Sequence, residues 1–358
     1  MSGLRRLAVA TVVAVAVAAT VGGCLMPRYL AQAAYGQLDL LRKARPIDDA
    51  IRDPDVPLAI RELLAEVPAI KAWARQAGLS ATRNYNTYVQ LDHDYAVYFV
   101  GVAPRLSLTP LRWCFPIAGC FTGLGWFDED DAIAQRDEME ARGFDAMARP
   151  ASAYSTGGWF PDPLLSTMLP DGDPRTGDEQ TGYADLANVV IHESVHATVL
   201  VPDQPFFNEG IAEYIGDALA DELLVEKFGD DSAEVAAYRA DQAWRRTRTE
   251  RMLKAYKDLE ALYASATPDA EKLKAKAAII DGLVADLGLW HRPNNANLVE
   301  VRVYTASYDG FAAVHQACGS LRAMISAGKR LGRGDFEKRL QEDLGPVLDR
   351  MKALCRRP

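Results

Sequence analysis

The sequence predicts an α+β fold, a small mixed sheet with an edge strand followed by a mostly helical C-terminal half with a long helical hairpin. Three observations predict it. From Tyr95 to Val102 the residues Tyr95, Val97, Phe99 and Gly101 alternate with Ala96, Tyr98, Val100 and Val102, the period of a strand. After about residue 183 apolar residues recur every three or four positions, with only brief breakers between segments. Inside one of those segments His192 and His196 stand four apart, one turn of helix, with Glu193 between them.

Composition sets the outer limits. At 49% hydrophobic and 25% charged residues, the chain of 358 is globular rather than disordered or low-complexity. Asp and Glu outnumber Lys and Arg by 49 to 40, which argues against a nucleic-acid partner.

The elements follow in order. Arg5 and Arg6 precede an unbroken small-apolar run from Leu7 to Val21, then Gly22-Gly23-Cys24. The run is short for a bilayer span and suits a secretory signal, residues 1–23, with Cys24 as the lipidated first residue of the mature chain. Leu25 follows Cys24, and the absence of an Asp there favours the outer over the inner membrane, with the chain facing the periplasm. Four cysteines remain for an oxidising compartment. Pro116 and Gly119 favour a loop that closes Cys114 on Cys120, leaving Cys318 for Cys355. An N-terminal helical segment spans 24–80, with helices at 27–44 and 57–78, the second stopped by Gly78. The expected catalytic core spans 81–230. It takes in the strand, a charged helix at 129–142 ended by Gly143, and an extended stretch at 150–160. A helical region, 231–358, belongs to the same unit. Met252, Tyr256, Leu259 and Tyr263 mark one arm of a hairpin, Thr267-Pro268-Asp269 its break, and 270–286 the other arm, a scaffold or lid. Asn294-Asn295 opens the last helices.

Residues 192–196 read His-Glu-Ser-Val-His within the helix expected from Asp185 to Leu200, which Pro202 stops. Histidines at i and i+4 can present two nitrogens to one zinc ion, and Glu193 reaches the same side as general base. A catalytic zinc takes a third protein ligand and leaves one position for water. Thirteen residues after His196 comes Asn208-Glu209-Gly-Ile-Ala-Glu213-Tyr, opening a helix that runs to Gly229. Glu209 is the expected third ligand. Glu213, one turn on, can hold the outer N–H of a histidine, although the two glutamates could exchange roles. His93, His291 and His315 stand alone and read as ordinary surface or packed histidines.

The HExxH–Asn-Glu arrangement resembles that of the gluzincin metallopeptidases, the thermolysin-like and aminopeptidase-like zinc enzymes. Over roughly residues 20–330 the chain more closely resembles the predicted aminopeptidase lipoproteins of Gram-negative bacteria. The stretches that carry this are Tyr29-Leu-Ala-Gln-Ala-Ala-Tyr-Gly-Gln, Arg112-Trp-Cys-Phe-Pro-Ile-Ala-Gly-Cys120, Ala153-Tyr-Ser-Thr-Gly-Gly-Trp-Phe160, and Asn294-Asn-Ala-Asn-Leu with Tyr304. Ser194-Val195 departs from the Leu-Ala usual there, and Gly210-Ile-Ala-Glu-Tyr is nearer the wider gluzincin pattern; neither touches a ligand. The resemblance implies a thermolysin-like core, one zinc per chain and a peptide substrate.

It also implies an edge strand before the zinc helix, at Tyr154, Ser155, Thr156, Gly157 and Gly158, where small residues would admit a peptide backbone. Tyr304 is the position it suggests for an oxyanion donor, with Tyr308 as the alternative. An aminopeptidase needs a carboxylate for the substrate ammonium, and Asp162, Asp128 and Glu213 are the candidates. Two rival readings stay open at this point, a periplasmic zinc endopeptidase and a non-catalytic envelope assembly or chaperone-like lipoprotein with a structural metal. The sequence leaves the oligomeric state undetermined.

Overall fold

A computed structural model of the chain describes residues 25–93, 95–115, 119–151, 161–169, 181–304 and 307–356. Cys24 and Tyr154–Gly158 lie outside the described residues, as does the side chain of Tyr304. Among the described residues no helix is long and apolar enough to cross a membrane.

The fold is mixed α+β, with small sheets and many helices. Helix α1 (Leu25–Lys43) leads through the two-residue strand β1 (Arg45–Pro46) and the short α2 (Ile47–Arg52) to α3 (Leu58–Gln76). Ile60, Leu64, Val67, Ile70 and Ala74 form the buried face of α3, and Gly78 turns the chain away with a φ of 109° that a glycine reaches without strain. Strand β2 (Thr87–Val89) pairs antiparallel with β1 and parallel with β8 (Leu164–Leu165). These strands of two or three residues are too short to show any period in sequence.

The second sheet positions the site. Strand β3 (Val97–Pro104) lies between β6 (Gly123–Trp126) and β7 (Phe144–Ala151), antiparallel to both, with Val100 opposite Leu124 and Ala148. Its alternation sends Val100 and Val102 to one face, where Trp126 and Met139 of helix α4 (Glu129–Ala141) cover them. Phe99, Gly101 and Ala103 take the opposite face. The extended stretch expected at 150–160 is described only to Ala151. Its strand begins instead at Phe144, immediately after α4. Strands β4 (Trp113–Phe115) and β5 (Gly119–Phe121) form a hairpin in which a disulfide joins Cys114 to Cys120, and a second disulfide joins Cys318 to Cys355.

Helices α5 (Thr181–His196) and α6 (Pro205–Phe228) form the centre of the main core, and Leu186, Val190, Ile191, Phe207, Ile211 and Ile215 are wholly buried there. That core reaches from Leu40 to Leu354 and so joins the N-terminal helices to the C-terminal ones. The hairpin is α7 (Ala233–Ala264) and α8 (Asp269–Leu287), with Ser232 capping the first arm and Gly288 ending the second. Helices α9 (Asn295–Tyr304), α10 (Tyr308–Cys318), α11 (Leu321–Gly328) and α12 (Gly345–Cys355) complete the chain.

The hairpin is fixed to the sheet and is not a free lid. Met252, Leu259, Ile280 and Leu283 pack on Ala103 of β3 and on Leu298 and Val299 of α9. Lys276 of α8 forms a largely buried ion pair with Asp145 of β7, and the same carboxylate accepts the Asn295 N–H at 2.9 Å. The Asn295 amide donates to the carbonyls of Pro104 at 2.8 Å and Ser107 at 3.1 Å, tying the start of α9 to the end of β3.

Candidate functional site

The α5–α6 turn is short and its closure is specific. Pro205 starts α6, where a missing N–H costs nothing. The buried Asn208 side chain accepts the Val201 N–H at 2.9 Å and donates to the Val201 carbonyl at 2.8 Å. This amide replaces a backbone partner that the loop lacks, and it places the next residue, Glu209, at the mouth of the helix pair. The pairing runs antiparallel. His196 meets Glu209, His192 meets Glu213 and Gly216, and Asn188 meets Asp217.

Three donor atoms converge. His192 Nε2 and His196 Nε2 are 3.2 Å apart, and Glu209 Oε2 is 3.7 Å from the first and 3.5 Å from the second. A tetrahedral ion held at about 2.0–2.2 Å sets its ligands roughly 3.3–3.6 Å apart. The triangle fits such an ion, and its donor set, two imidazoles and one carboxylate, suits zinc. Glu213 Oε2 lies on the other side of the ring, 3.8 Å from His192 Nδ1, so it faces the histidine and not the triangle. Glu193 brings a carboxylate within 4.8 Å of both imidazoles. Its Oε2 is buried with no hydrogen-bond partner among the described residues, as is His196 Nδ1. Buried polar atoms are normally paired, so Glu193 Oε2, beside the triangle, marks a place built for a ligand or water, while His196 Nδ1 lies on the opposite edge of its ring.

Charge distribution agrees with the geometry. Burial alone would depress His192, but Glu209, Glu193 and Glu213 outweigh it and push its pKa up to about 9. Burial also works against ionising Glu209, yet the two histidines hold it far below its ordinary range. Burial and the neighbouring Asp217 raise Glu213. Asp217 is itself raised by burial, although it accepts from Asn188 at 3.0 Å and Gln242 at 2.9 Å.

The other expected residues separate. Tyr308 donates to Asp217 at 3.3 Å and accepts from Arg246 at 2.7 Å, so its hydroxyl is engaged beneath the helix pair. Asp128 caps α4 by accepting the Asp131 N–H, and Asp162 is buried with its backbone bonded to Tyr85 and Asn84. Neither is brought to the triangle. His315 bonds Tyr214 at 2.9 Å, and His93 bonds the Tyr95 carbonyl at 2.5 Å.

Two residues were not evident from sequence. Tyr85 is fully buried, its hydroxyl has no partner among the described residues, and its φ of 59° is a left-handed conformation uncommon for an aromatic residue. Burial, then the charges of Glu193 and Asp162, raise its pKa well above the usual value. Gly216 sits where α6 crosses α5, and a Cβ there would lie 3.4 Å from His192 Cβ and 3.5 Å from its Cα. That is ordinary contact for one methyl group and leaves no room for more. Gly216→Ala is therefore expected to keep metal affinity within about threefold and to gain up to ~1 kcal/mol in helix propensity. Gly216→Leu should push the helices apart and weaken zinc binding by at least about tenfold. Competition with a chromophoric chelator measures both, and wild-type affinity in Gly216→Leu would contradict the tight crossing.

A family model described as "Putative aminopeptidase" matches residues 28–342. The chain belongs to that family. The family's description points to peptidase activity, and with it to a peptide as the class of substrate. The matched range contains every residue of the triangle, Glu193, and the sheet beside them. No curated protein and no solved structure matches the chain.

Proposed function

We propose that this chain is a zinc-dependent aminopeptidase with a thermolysin-like, gluzincin-type catalytic core. It is lipid-anchored through Cys24 and faces the periplasm, on the outer membrane. The observation that carries the enzymatic reading is the triangle of His192, His196 and Glu209 with Glu193 Oε2 beside it, buried and without a partner among the described residues. A purely structural site has no use for that base. The antiparallel α5–α6 pair supports the gluzincin reading. The signal-like N-terminus and the two disulfides support export.

His192, His196 and Glu209 would hold the metal. When bound, it supplies Lewis acidity, polarising the scissile carbonyl and acidifying water. The protein's own groups do the rest. Glu193 Oε2, buried and without a partner among the described residues, takes a proton from the attacking water and returns it to the leaving amine. Glu213 faces His192 Nδ1 and favours the tautomer with its proton there, leaving Nε2 free for the metal. Asp217, one turn further, is fixed by Asn188 and Gln242 and backs Glu213 from beneath.

The test is metal analysis of the zinc-reconstituted full chain in detergent, with hydrolysis of free-amine and N-acetylated peptide amides. About one zinc per chain is expected. Hydrolysis should occur on free-amine substrates only, stop on chelation and return with zinc. Equal cleavage of acetylated peptides would move the reading to an endopeptidase. Bound zinc without turnover on either set would favour an assembly or chaperone-like lipoprotein. No metal uptake would overturn the site itself.

A further inference from the structure

Beside the triangle lies a cavity of about 160 Å³ between the β3 face and helix α9. Phe99, Met147, Val299 and Val303 make much of its wall, and Glu209 reaches it from α6. Gly123 and Gly101 keep it open in different ways. A Cβ at Gly123 would collide with the Phe99 ring, and one at Gly101 would come within 3.0 Å of Met147 Cε. The described lining contains two charged side chains, Glu209 and Glu300, both acidic, and no cation.

Glu300 is held in a particular way. Its side chain is only 14% exposed. Arg149, stacked over the Phe99 ring at 5.5 Å, donates from Nε to Glu300 Oε1 at 2.6 Å and also pairs with that oxygen through Nη2. Glu300 Oε2 takes no hydrogen bond among the described residues. Arg149 thus holds one oxygen of a carboxylate that lines the cavity among apolar side chains and leaves the second oxygen to accept elsewhere. A cationic donor makes the strongest bond to such an acceptor.

We propose that this cavity is the subsite for the substrate's first residue, with Glu300 Oε2 receiving the free α-ammonium and the Phe99–Met147–Val299–Val303 wall receiving an apolar side chain. This rests on the peptidase reading, in which Glu209 is committed to the metal and Glu300 is the remaining carboxylate of the cavity. The chemical class of ligand is an unblocked peptide with an apolar N-terminal residue. None of Asp128, Asp162 and Glu213, the acids that sequence suggested for the ammonium, lines this cavity. Glu300 lies between the Asn294-Asn-Ala-Asn-Leu stretch and Tyr304, yet nothing in that stretch singled it out. Its neighbours come from β3, β7 and α6, far away in the chain.

The experiment is calorimetric binding of leucinamide, N-acetyl-leucinamide and N-acetyl-lysinamide to the zinc-loaded full chain. Glu193→Gln serves as the background so that turnover does not intrude. Leucinamide should bind at least about tenfold more tightly than its acetylated form, the worth of one hydrogen bond to a charged group. Glu300→Gln, which keeps shape, removes charge and weakens the Arg149 pair, should erase that preference while the variant still folds and binds zinc with native stoichiometry. Val303→Trp, which fills the apolar wall one helical turn from Glu300, should weaken leucinamide by a similar factor. Equal binding of the free and acetylated leucine amides would overturn the assignment. So would a preference that survives Glu300→Gln, or tightest binding of the lysine derivative, which would make the cavity a site for basic side chains. Kinetics of the native Glu193 protein separate the two readings. Hydrolysis without the amine preference keeps the peptidase but sinks this subsite together with the exopeptidase assignment, whereas the amine preference without hydrolysis sinks the peptidase reading and keeps the subsite.

Discussion

Glu193→Gln is expected to lower kcat by about 10²–10⁴-fold, the range that a positioned general base contributes. Zinc stoichiometry and fold should be unchanged. The argument rests on where the carboxylate sits. Glu193 occupies the same turn of α5 as His192, and its Oε2 is buried without a partner among the described residues. An amide of equal shape fits the same space, so the substitution removes basicity and little else. KM should move little, because the lost interaction belongs to proton transfer and not to ground-state binding. Steady-state kinetics on a free-amine dipeptide amide, with metal analysis of the same sample, decide the matter. Activity within tenfold of the native chain would remove Glu193 from the reaction and leave the catalytic assignment without a base.

Metal-free protein should also lose stability as pH rises from 6.5 to 9, and zinc-loaded protein should not. The folded pKa of His192, about 9, lies above its ordinary 6.5, so protonation stabilises the metal-free fold. That contribution is complete below about 6.5 and disappears as pH rises through about 9. A shift of this size corresponds to roughly 3 kcal/mol at most. Glu209 is the reverse case. Its pKa is held far below its ordinary value, so its contribution is present above about 4.5 and is lost in acid. Both describe one His192–Glu209 interaction, counted once, and the window of greatest stability is about pH 4.5–6.5. Zinc must displace the His192 proton, so uptake at pH 7 should release about one proton, with affinity rising about tenfold per pH unit towards 9. Thermal melts across pH and calorimetry in buffers of different ionisation enthalpy measure both effects. A flat metal-free stability curve over this range would show that the carboxylates do not hold His192 protonated.

The sequence made the helices legible where a long apolar period met a clear stop, as at Gly78, Gly143 and Gly288. It also exposed the pairing of Glu209 with His192 and His196, because the spacing within one helix and the short return to the next leave few arrangements. Strand β7 escaped notice. Phe144–Ala151 mixes Asp145, Arg149 and Pro150 into its apolar positions, and as an outer strand it pairs only with β3. The polar residues have partners far along the chain, Lys276 for Asp145 and Glu300 for Arg149, and no local pattern reveals such partners. Asn208 was visible as part of a motif, but its task of closing the loop on Val201 was not. Gly216 carried no signal at all, since its importance lies in the nearness of a helix twenty residues away.

Helix α9 has two jobs at once. Leu298 and Val299 are part of the core that supports the α7–α8 hairpin, and Val299, Glu300 and Val303 line the cavity beside the triangle. The groups proposed for bond cleavage stand on α5 and α6 instead. Reactivity and selectivity are thus borne by different pieces of the chain, and a change in the hairpin can reshape the cavity through α9 without disturbing the reacting groups. Relatives with altered hairpins could then differ in diet while sharing one chemistry.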